Sequence, residues 1–372
     1  MRLPTLATIA LLLGGALNVA PVVAQSANGS APPASAWNSR AAAAYLDGRM
    51  DWWLQWPNAA RDHDTACVSC HTSLPYAMAR PALRSSLREP EMAAPERAMG
   101  AHVVKRVRMW KDVEPFYPDQ TRGLPKSSES RGTEAVLNAV ILSARDASTG
   151  TLTDDTRQAF NNLWALQFKA GDLKGAWAWL NFHYEPWEAT ESGYYGAALA
   201  ALAVGTAPGA YSSTPEIQAP LELLRDYLRR GIDRERLFNQ LTVLWASSKL
   251  PGLVTDAQRQ AIVAAAISKQ QDDGGWSMAA LGAWKRIDGS SLETTSDGYA
   301  TALIAVVLRD ADPSAAVSVK KAKAWLVRHQ ESATGRWWAA SLNKARDPAS
   351  DAGKFMSDAA TAYAVLALAE PR

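Results

Sequence analysis

The sequence is poor in cysteine, in net charge and in long apolar runs. Two of its 372 residues are cysteine, which excludes a small fold held together by several disulfide bonds. Lys and Arg number 39 against 37 Asp and Glu, and a net charge of +2 supplies no basic surface for nucleic acid. After residue 24, no stretch has the ~18 uninterrupted apolar residues that a membrane span requires. Nucleic-acid binding and channel function are therefore excluded.

The first 24 residues have the pattern of a Sec-type signal peptide. Arg2 supplies the positive start, Leu6–Ala20 an apolar run, and Ala24 ends a small-residue cleavage site. An uncleaved anchor is the alternative, and Pro21 and the shortness of the run weigh against it. We expect cleavage near Ala24, a disordered leader over residues 25–36 that is rich in Ser, Ala and Pro, and a periplasmic or secreted protein.

Three segments of the chain repeat one arrangement, in which a helix ends in Gln and a Gly-containing turn leads to Trp. They read QFKAGDLKGAW at 167–177, QQDDGGW at 270–276 and QESATGRW at 330–337. A helix of small residues begins about twenty residues after each of the last two Trp, and the first repeat has a similar helix from residue 191. Since one such hairpin cannot bury both of its faces, we expect neighbouring hairpins to stack side by side until a ring closes.

Helical patterns separated by Gly, Pro and Asp breaks form six pairs. The pairs are 38–56 with 70–86, 96–111 with 131–146, 154–169 with 191–205, 217–230 with 234–249, 256–271 with 296–310, and 315–330 with 356–370. The chain is therefore predicted to be all-α, a single barrel of six hairpins. The first hairpin occupies residues 37–95, and residues 96–372 form the remainder of the ring.

The Gln…Gly-x-Trp element resembles the repeat signature of the squalene-hopene cyclase and protein prenyltransferase superfamily. That resemblance implies an α/α toroid over most of the mature chain. The resemblance does not extend to the catalytic residues of those families. Where the cyclases have an Asp-rich DxDD acid, this sequence has TSDG at 295–298 and MSDA at 356–359, with one Asp each. The Asp, Cys and His set that binds zinc in prenyltransferases has no counterpart, because both cysteines lie in the first hairpin.

The segment Cys67-Val68-Ser69-Cys70-His71 is the CxxCH attachment motif of a c-type haem. Two thiols add to the two vinyl groups of one porphyrin, and the adjacent imidazole ligates the iron. We expect one covalent haem c, with electron transfer or haem-dependent redox chemistry as the function. A disulfide or thiol-redox pair lacks its usual thioredoxin-like setting here, and zinc lacks a second ligand pair, but both remain alternatives.

The spacing of the motif places it at the start of an inner helix. The interval 52–71 spans 19 residues, against 21 for both 276–297 and 337–358, which run from a repeat Trp to an Asp. His71 is therefore expected at the mouth of the central cavity. The candidates for the second axial ligand of the iron are His102, Met99 and Met78.

Equivalent positions in the other repeats provide further candidates for catalysis or ligand contact. These are Ser192, Asp297 and Asp358 at inner-helix starts, together with His183 in a loop. Capping of the helix is the alternative role for such residues. The segments 115–118 and 126–131 are expected to form a loop across the same end, as a lid.

Two functions follow from these patterns. The first is the exported monohaem protein, whose partner is a redox protein or a small hydrophobic molecule. The second is a terpenoid-cyclase-like enzyme or ligand-binding toroid in which CxxCH forms a structural disulfide. The tryptophans of the turns either line a substrate cleft or pack over helix ends, and the repeat pattern favours the latter.

Overall fold

The computed structural model describes residues 37–369, so the predicted signal peptide and leader lie outside it. Thirteen α-helices, six short 3-10 helices and one short antiparallel β-hairpin make up the regular structure of this part of the chain. The helices are α1 Ser39–Gln55, α2 Ser73–Leu87, α3 Ala94–Arg108, α4 Asp119–Arg122, α5 Lys126–Ala147, α6 Asp154–Leu166, α7 Ser192–Thr206, α8 Gln218–Gly231, α9 Leu237–Ser247, α10 Asp256–Ile267, α11 Gly298–Ala311, α12 Ala316–His329 and α13 Phe355–Leu368. The strands are β1 Ala60–Arg61 and β2 Thr65–Ala66.

The predicted all-α toroid of six hairpins is confirmed. Helices α2, α5, α7, α9, α11 and α13 form the inner ring, in which each packs against the next and α13 packs against α2 to close the circle. The inner helices are rich in small residues, as in SGYYGAALAALAVGT of α7, and nearly every position of α7 is buried. Small side chains on all faces let adjacent inner helices approach closely while outer helices cover them.

One predicted boundary is wrong by more than a turn. Helix α5 begins at Lys126, so the polar run 126–131 is helical and is not part of a loop. Tertiary hydrogen bonds hold this first turn: the Lys126 ammonium donates to the Asn181 carbonyl at 2.7 Å, and the Tyr117 N–H donates to Ser130 Oγ at 3.0 Å. The other predicted helix limits differ from the structure by four residues or fewer.

The repeated Gln joins three of the six hairpins to the hairpin that follows. In every repeat the Gln side chain donates both to its own Gly turn and to a carbonyl at the start of the next outer helix. Those bonds run from Gln167 to Gly175 and Pro220, from Gln270 to Gly274 and Ser318, and from Gln330 to Gly335 and Asn38. Since Asn38 precedes α1, the last of these bonds seals the ring between its two ends.

The repeat tryptophans bind the C-terminal ends of outer helices, as the repeat pattern favours. Each indole N–H donates at 2.7 Å to a carbonyl in the last turn of an outer helix. The pairs are Trp177 with Leu163, Trp276 with Ala266, and Trp337 with Leu326.

Gly335 provides a test of how strongly the ring closure contributes to stability. Its φ is +78°, and an added Cβ would lie 2.3 Å from the carbonyl carbon of Ala41 in α1. We expect Gly335→Ala to lower the free energy of unfolding by about 3 kcal/mol or more, because backbone strain and a backbone clash add. Gly150→Ala is the matched control, since Gly150 has φ +72° and open space around its Cβ position. It should lose about 1–2 kcal/mol. Equal losses in denaturant titrations would contradict the closure role.

Candidate functional site

A cavity of about 300 Å³ opens at the end of the toroid where the inner helices begin. Linkers of the first, second, third and sixth hairpins form its walls. Its lining is mainly aromatic, with a few charged side chains. The lining comprises Trp53, Trp56, Cys67, Val68, Ser69, Cys70, His71, Tyr117, Arg122, Thr133, Leu180, Phe182, Tyr184, Trp187, Glu188, Ser341, Asn343, Arg346, Ala352, Phe355 and Met356. All five residues of the CxxCH motif therefore face one cavity.

The motif is held rigidly between β2 and α2. The Cys67 N–H donates to the Ala59 carbonyl at 2.7 Å, and the Trp53 indole donates to the Cys67 carbonyl at 2.7 Å. Ser69 Oγ accepts the N–H groups of Thr72 and Ser73 at 3.2 and 3.1 Å. These bonds fix the backbone on both sides of Cys70, so that both thiols stay on the cavity wall.

A buried ion pair braces the β-hairpin that precedes the motif. Arg106 is fully buried and its Nε lies 2.5 Å from Glu134 Oε1. The same guanidinium donates to Thr65 Oγ1 in β2 at 2.8 Å. Removing one member of such a buried pair costs about 3–5 kcal/mol, because the other charge is left without its partner. Arg106 thus ties the β-hairpin before the CxxCH motif to the second hairpin.

The His71 ring lies among aromatic side chains. Its centroid is 3.8 Å from that of Phe355, with the rings nearly parallel at 21°, and 5.1 Å from Trp53, which meets it edge-on. These contacts fix the ring plane. Burial, and then the positive charges of Arg49 and Arg346, lower the pKa of His71 to about 3, so the imidazole is neutral near pH 7.

A hydrogen-bond relay sets the tautomer of that imidazole. Thr72 Oγ1 donates to Asp358 Oδ2 at 2.8 Å, and His71 Nδ1 lies 2.8 Å from the same hydroxyl oxygen. Because the hydroxyl proton goes to the carboxylate, Thr72 accepts the proton of His71 Nδ1. The lone pair of His71 is therefore on Nε2, the atom free to act as a ligand.

Asp358 is anchored by the first hairpin. Its Oδ1 accepts from the Tyr45 hydroxyl at 2.7 Å and from Arg49 Nε at 2.8 Å. The carboxylate is buried, and both of its oxygens accept hydrogen bonds from protein side chains. It does not touch the cavity, and it acts on His71 through Thr72.

The two cysteines are free and buried thiols. Burial raises the pKa of Cys67 to about 12 and that of Cys70 well above its ordinary value. The negative charge of Glu188 adds to both shifts, which places that carboxylate near the thiols. Burial alone raises the pKa of Glu188 to about 7, and its carboxylate has no hydrogen-bond partner among residues 37–369. Glu188 is therefore a cavity group with an unused acid–base function.

The residues predicted as candidates for catalysis or ligand contact have different roles in the structure. Asp297 caps α11, where its carboxylate accepts the N–H groups of Met278, Tyr299 and Ala300. Ser192 Oγ bonds the Ala189 N–H and the Pro186 carbonyl, which fixes the turn before α7. His183 is exposed in the loop before Glu188 and does not line the cavity. Of the four, only Asp358 is linked to the CxxCH motif.

The three candidate axial ligands lie elsewhere. Met99 is a buried residue of α3. His102, also in α3, faces the backbone of Asp64 in the β-hairpin. Met78 lines a separate pocket with residues from the C-terminal halves of the inner helices, such as Leu366. None of the three contributes to the cavity that CxxCH lines.

Sequence reasoning missed several members of this site. Thr72 and Glu188 belong to no recognisable motif, and neither Arg122 at the end of α4 nor Arg346 in a linker lies within the repeat. Within residues 37–369, no three His, Cys, Asp or Glu side chains are grouped as metal ligands. No helix in the same range has the length and apolar character to cross a bilayer.

Comparison with known proteins identifies the architecture. No family model and no curated protein matches this sequence. The GH76A α-1,6-mannanase from Salegentibacter sp. HEL1_6 superimposes with a TM-score of 0.52 at 9% identity, over 88% of this chain and 99% of that one. The type II terpene cyclase MstE from Scytonema gives 0.45 at 13% identity, over 89% and 98%. The first likeness is one of fold alone, and with the closed inner ring it shows that this chain is an α/α toroid.

Proposed function

We propose that this protein carries one covalent haem c in the toroid cavity and serves electron transfer or haem-dependent redox chemistry. The observation that carries the proposal is that Cys67, Cys70 and His71 line one cavity in a rigid segment. Burial keeps both thiols protonated, as they are before addition to a vinyl group. When bound, the haem supplies a one-electron couple between ferric and ferrous iron.

The residues present fit such a group chemically. Each thiol would add its sulfur to one vinyl carbon and its hydrogen to the next, so no outside reagent is consumed. His71 offers a neutral imidazole whose Nε2 lone pair is free. Its other nitrogen donates to a hydroxyl that is itself held by a carboxylate, which is the usual support of a metal-ligating histidine. Trp53 and Phe355 would exclude water from the ring.

Export belongs to the same proposal. A c-type haem is attached outside the cytoplasm, and the predicted signal peptide would deliver the chain there. The periplasmic or secreted location remains a prediction, since residues 1–24 lie outside the described structure.

Glu188 favours a second candidate function. An unpartnered carboxylate with its pKa near 7 in an aromatic-lined cavity suits general acid–base catalysis on an organic substrate. The toroid would then be an enzyme without haem, as the mannanase fold allows.

A single preparation distinguishes the two candidates. We expect the protein, exported from cells competent in cytochrome c maturation, to show a Soret band and a pyridine haemochrome that persists after acid–acetone extraction. A colourless protein from such cells, with two titratable thiols, would contradict the haem function and leave the Glu188 enzyme.

The relay predicts the direction of a redox shift. Asp358→Asn removes a negative charge behind His71, so we expect the midpoint potential to rise by tens of millivolts, since about 1 kcal/mol equals roughly 40 mV for one electron. Thr72→Val breaks the relay without removing charge and should raise it less. Asp297→Asn is the matched control: a buried Asp whose partners are backbone N–H groups, expected to leave the potential unchanged. Equal shifts in all three variants by redox titration would contradict the relay.

A further inference from the structure

Two arginines reach the cavity from opposite sides of the CxxCH segment. Arg122 is the last residue of α4 in the second hairpin, and Arg346 lies in the linker before α13 of the sixth. Both line the cavity. Since α2 packs between α5 and α13, the first hairpin with its CxxCH lies between the hairpins that supply the two guanidinium groups.

Neither guanidinium is neutralised within the described chain. Arg122 lies over the Tyr117 ring at 5.5 Å, and no carboxylate lies within ion-pair distance of either arginine. Arg49, also near this end of the toroid, pairs with Asp351 and Asp358 instead. Glu188 lines the same cavity without pairing to Arg122 or Arg346.

A third polar group of the wall is also unsatisfied. Asn343 lines the cavity three residues before Arg346, and its buried Oδ1 has no hydrogen-bond partner. Buried amides in folded proteins nearly always have partners, so this orphan acceptor marks a place for a hydrogen-bond donor, from water or from a ligand. Because that amide oxygen cannot bond a carboxylate, the two cations alone indicate the charge of the ligand, and they suit a molecule that carries two carboxylates.

We propose that Arg122 and Arg346 bind the two propionate carboxylates of a porphyrin seated in this cavity. The inference rests on the proposed haem function and adds the recognition that precedes attachment. Two anchoring points restrict the orientations in which the porphyrin ring can lie. They would therefore position the vinyl groups beside Cys67 and Cys70 before the thiols react. Arg346 is half-buried and Arg122 exposed, so Arg346 makes the stronger contact.

The test uses the full chain with both thiols removed, so that binding is reversible. The Cys67→Ser/Cys70→Ser protein, prepared without haem, is titrated with haemin and with haemin dimethyl ester, which lacks the two charges. Quenching of tryptophan fluorescence reports binding, because Trp53, Trp56 and Trp187 line the cavity. We expect haemin to bind about tenfold more tightly than the ester.

Arginine variants in the same background locate the charge contacts. Arg346→Gln should weaken haemin binding more than Arg122→Gln does, and neither should change binding of the ester. Arg157→Gln is the matched control, an exposed arginine of α6 outside the cavity, and should leave both affinities unchanged.

Each outcome bears on one proposal. Equal affinity for acid and ester, with no effect of either arginine, overturns the carboxylate contact and leaves the haem function standing. If the serine variant binds neither compound, the covalently loaded protein decides: Arg346→Gln should lower its midpoint potential by removing a positive charge near the iron, and an unchanged potential overturns the inference. Failure of the unmodified chain to load haem at all refutes the proposed function itself.

Discussion

Serine at positions 67 and 70 together is expected to abolish covalent haem while leaving the toroid folded. A hydroxyl does not add to a vinyl group under the conditions of haem attachment, whereas a thiol does. Both side chains are buried, so the exchange of sulfur for oxygen costs some stability but removes no large volume. The single variants should keep one thioether at strongly reduced yield.

Val68→Ala is the control for that result. Val68 lies between the two cysteines and lines the same cavity, yet takes no part in attachment. It should retain one haem per chain. His71→Ala should instead alter the visible spectrum, because the iron loses its imidazole. Haem that survives denaturing gel electrophoresis in the double serine variant would contradict attachment at these thiols.

Deletion of residues 37–92 is expected to unfold the rest of the chain. The deletion removes α1 and α2, which exposes the faces of α5 and α13 that pack on α2. It also removes the Asn38 carbonyl that Gln330 bonds and leaves Arg106 without its Thr65 contact. Each large side chain exposed costs about 1.5–3 kcal/mol, against the roughly 5–15 kcal/mol by which a folded domain is stable.

The shortened chain should therefore lack a cooperative thermal transition by circular dichroism and should aggregate on gel filtration. The full chain carrying Gly150→Ala provides a reference for mild destabilisation in the same assays. A soluble fragment beginning at residue 93 with a sharp transition would show that the hairpin carrying CxxCH is a separate module.

The architecture was predictable from sequence because the repeated motif contains the residues that connect one hairpin to the next. Gln167, Gln270 and Gln330 each precede a Gly turn, and each bonds a carbonyl at the start of the next outer helix. The spacing of His71 from its preceding Trp also correctly indicated that CxxCH lies at an inner-helix start. The local sequence pattern was sufficient to predict the ring, since a repeat fold is built from contacts between adjacent hairpins.

The chemistry around His71 was not predictable in the same way. The Thr72–Asp358 bond joins residues 286 positions apart, and only the closed ring brings them together. Asp297 and Asp358 look equivalent in sequence. Their roles in the structure differ. Asp297 precedes α11 and caps it, whereas Asp358 lies inside the first turn of α13 and accepts a hydrogen bond from Arg49. The helical start of α5 was missed because tertiary bonds, rather than local propensity, fix Lys126.

Peptide mass spectrometry of the exported protein tests the central claim most directly. Trypsin is expected to release residues 62–84 as one peptide, since Pro81 protects the bond after Arg80. We expect this peptide to carry the mass of one haem, bound through Cys67 and Cys70. The same peptide with free thiols or an internal disulfide, from cells that load another c-type cytochrome normally, would contradict it.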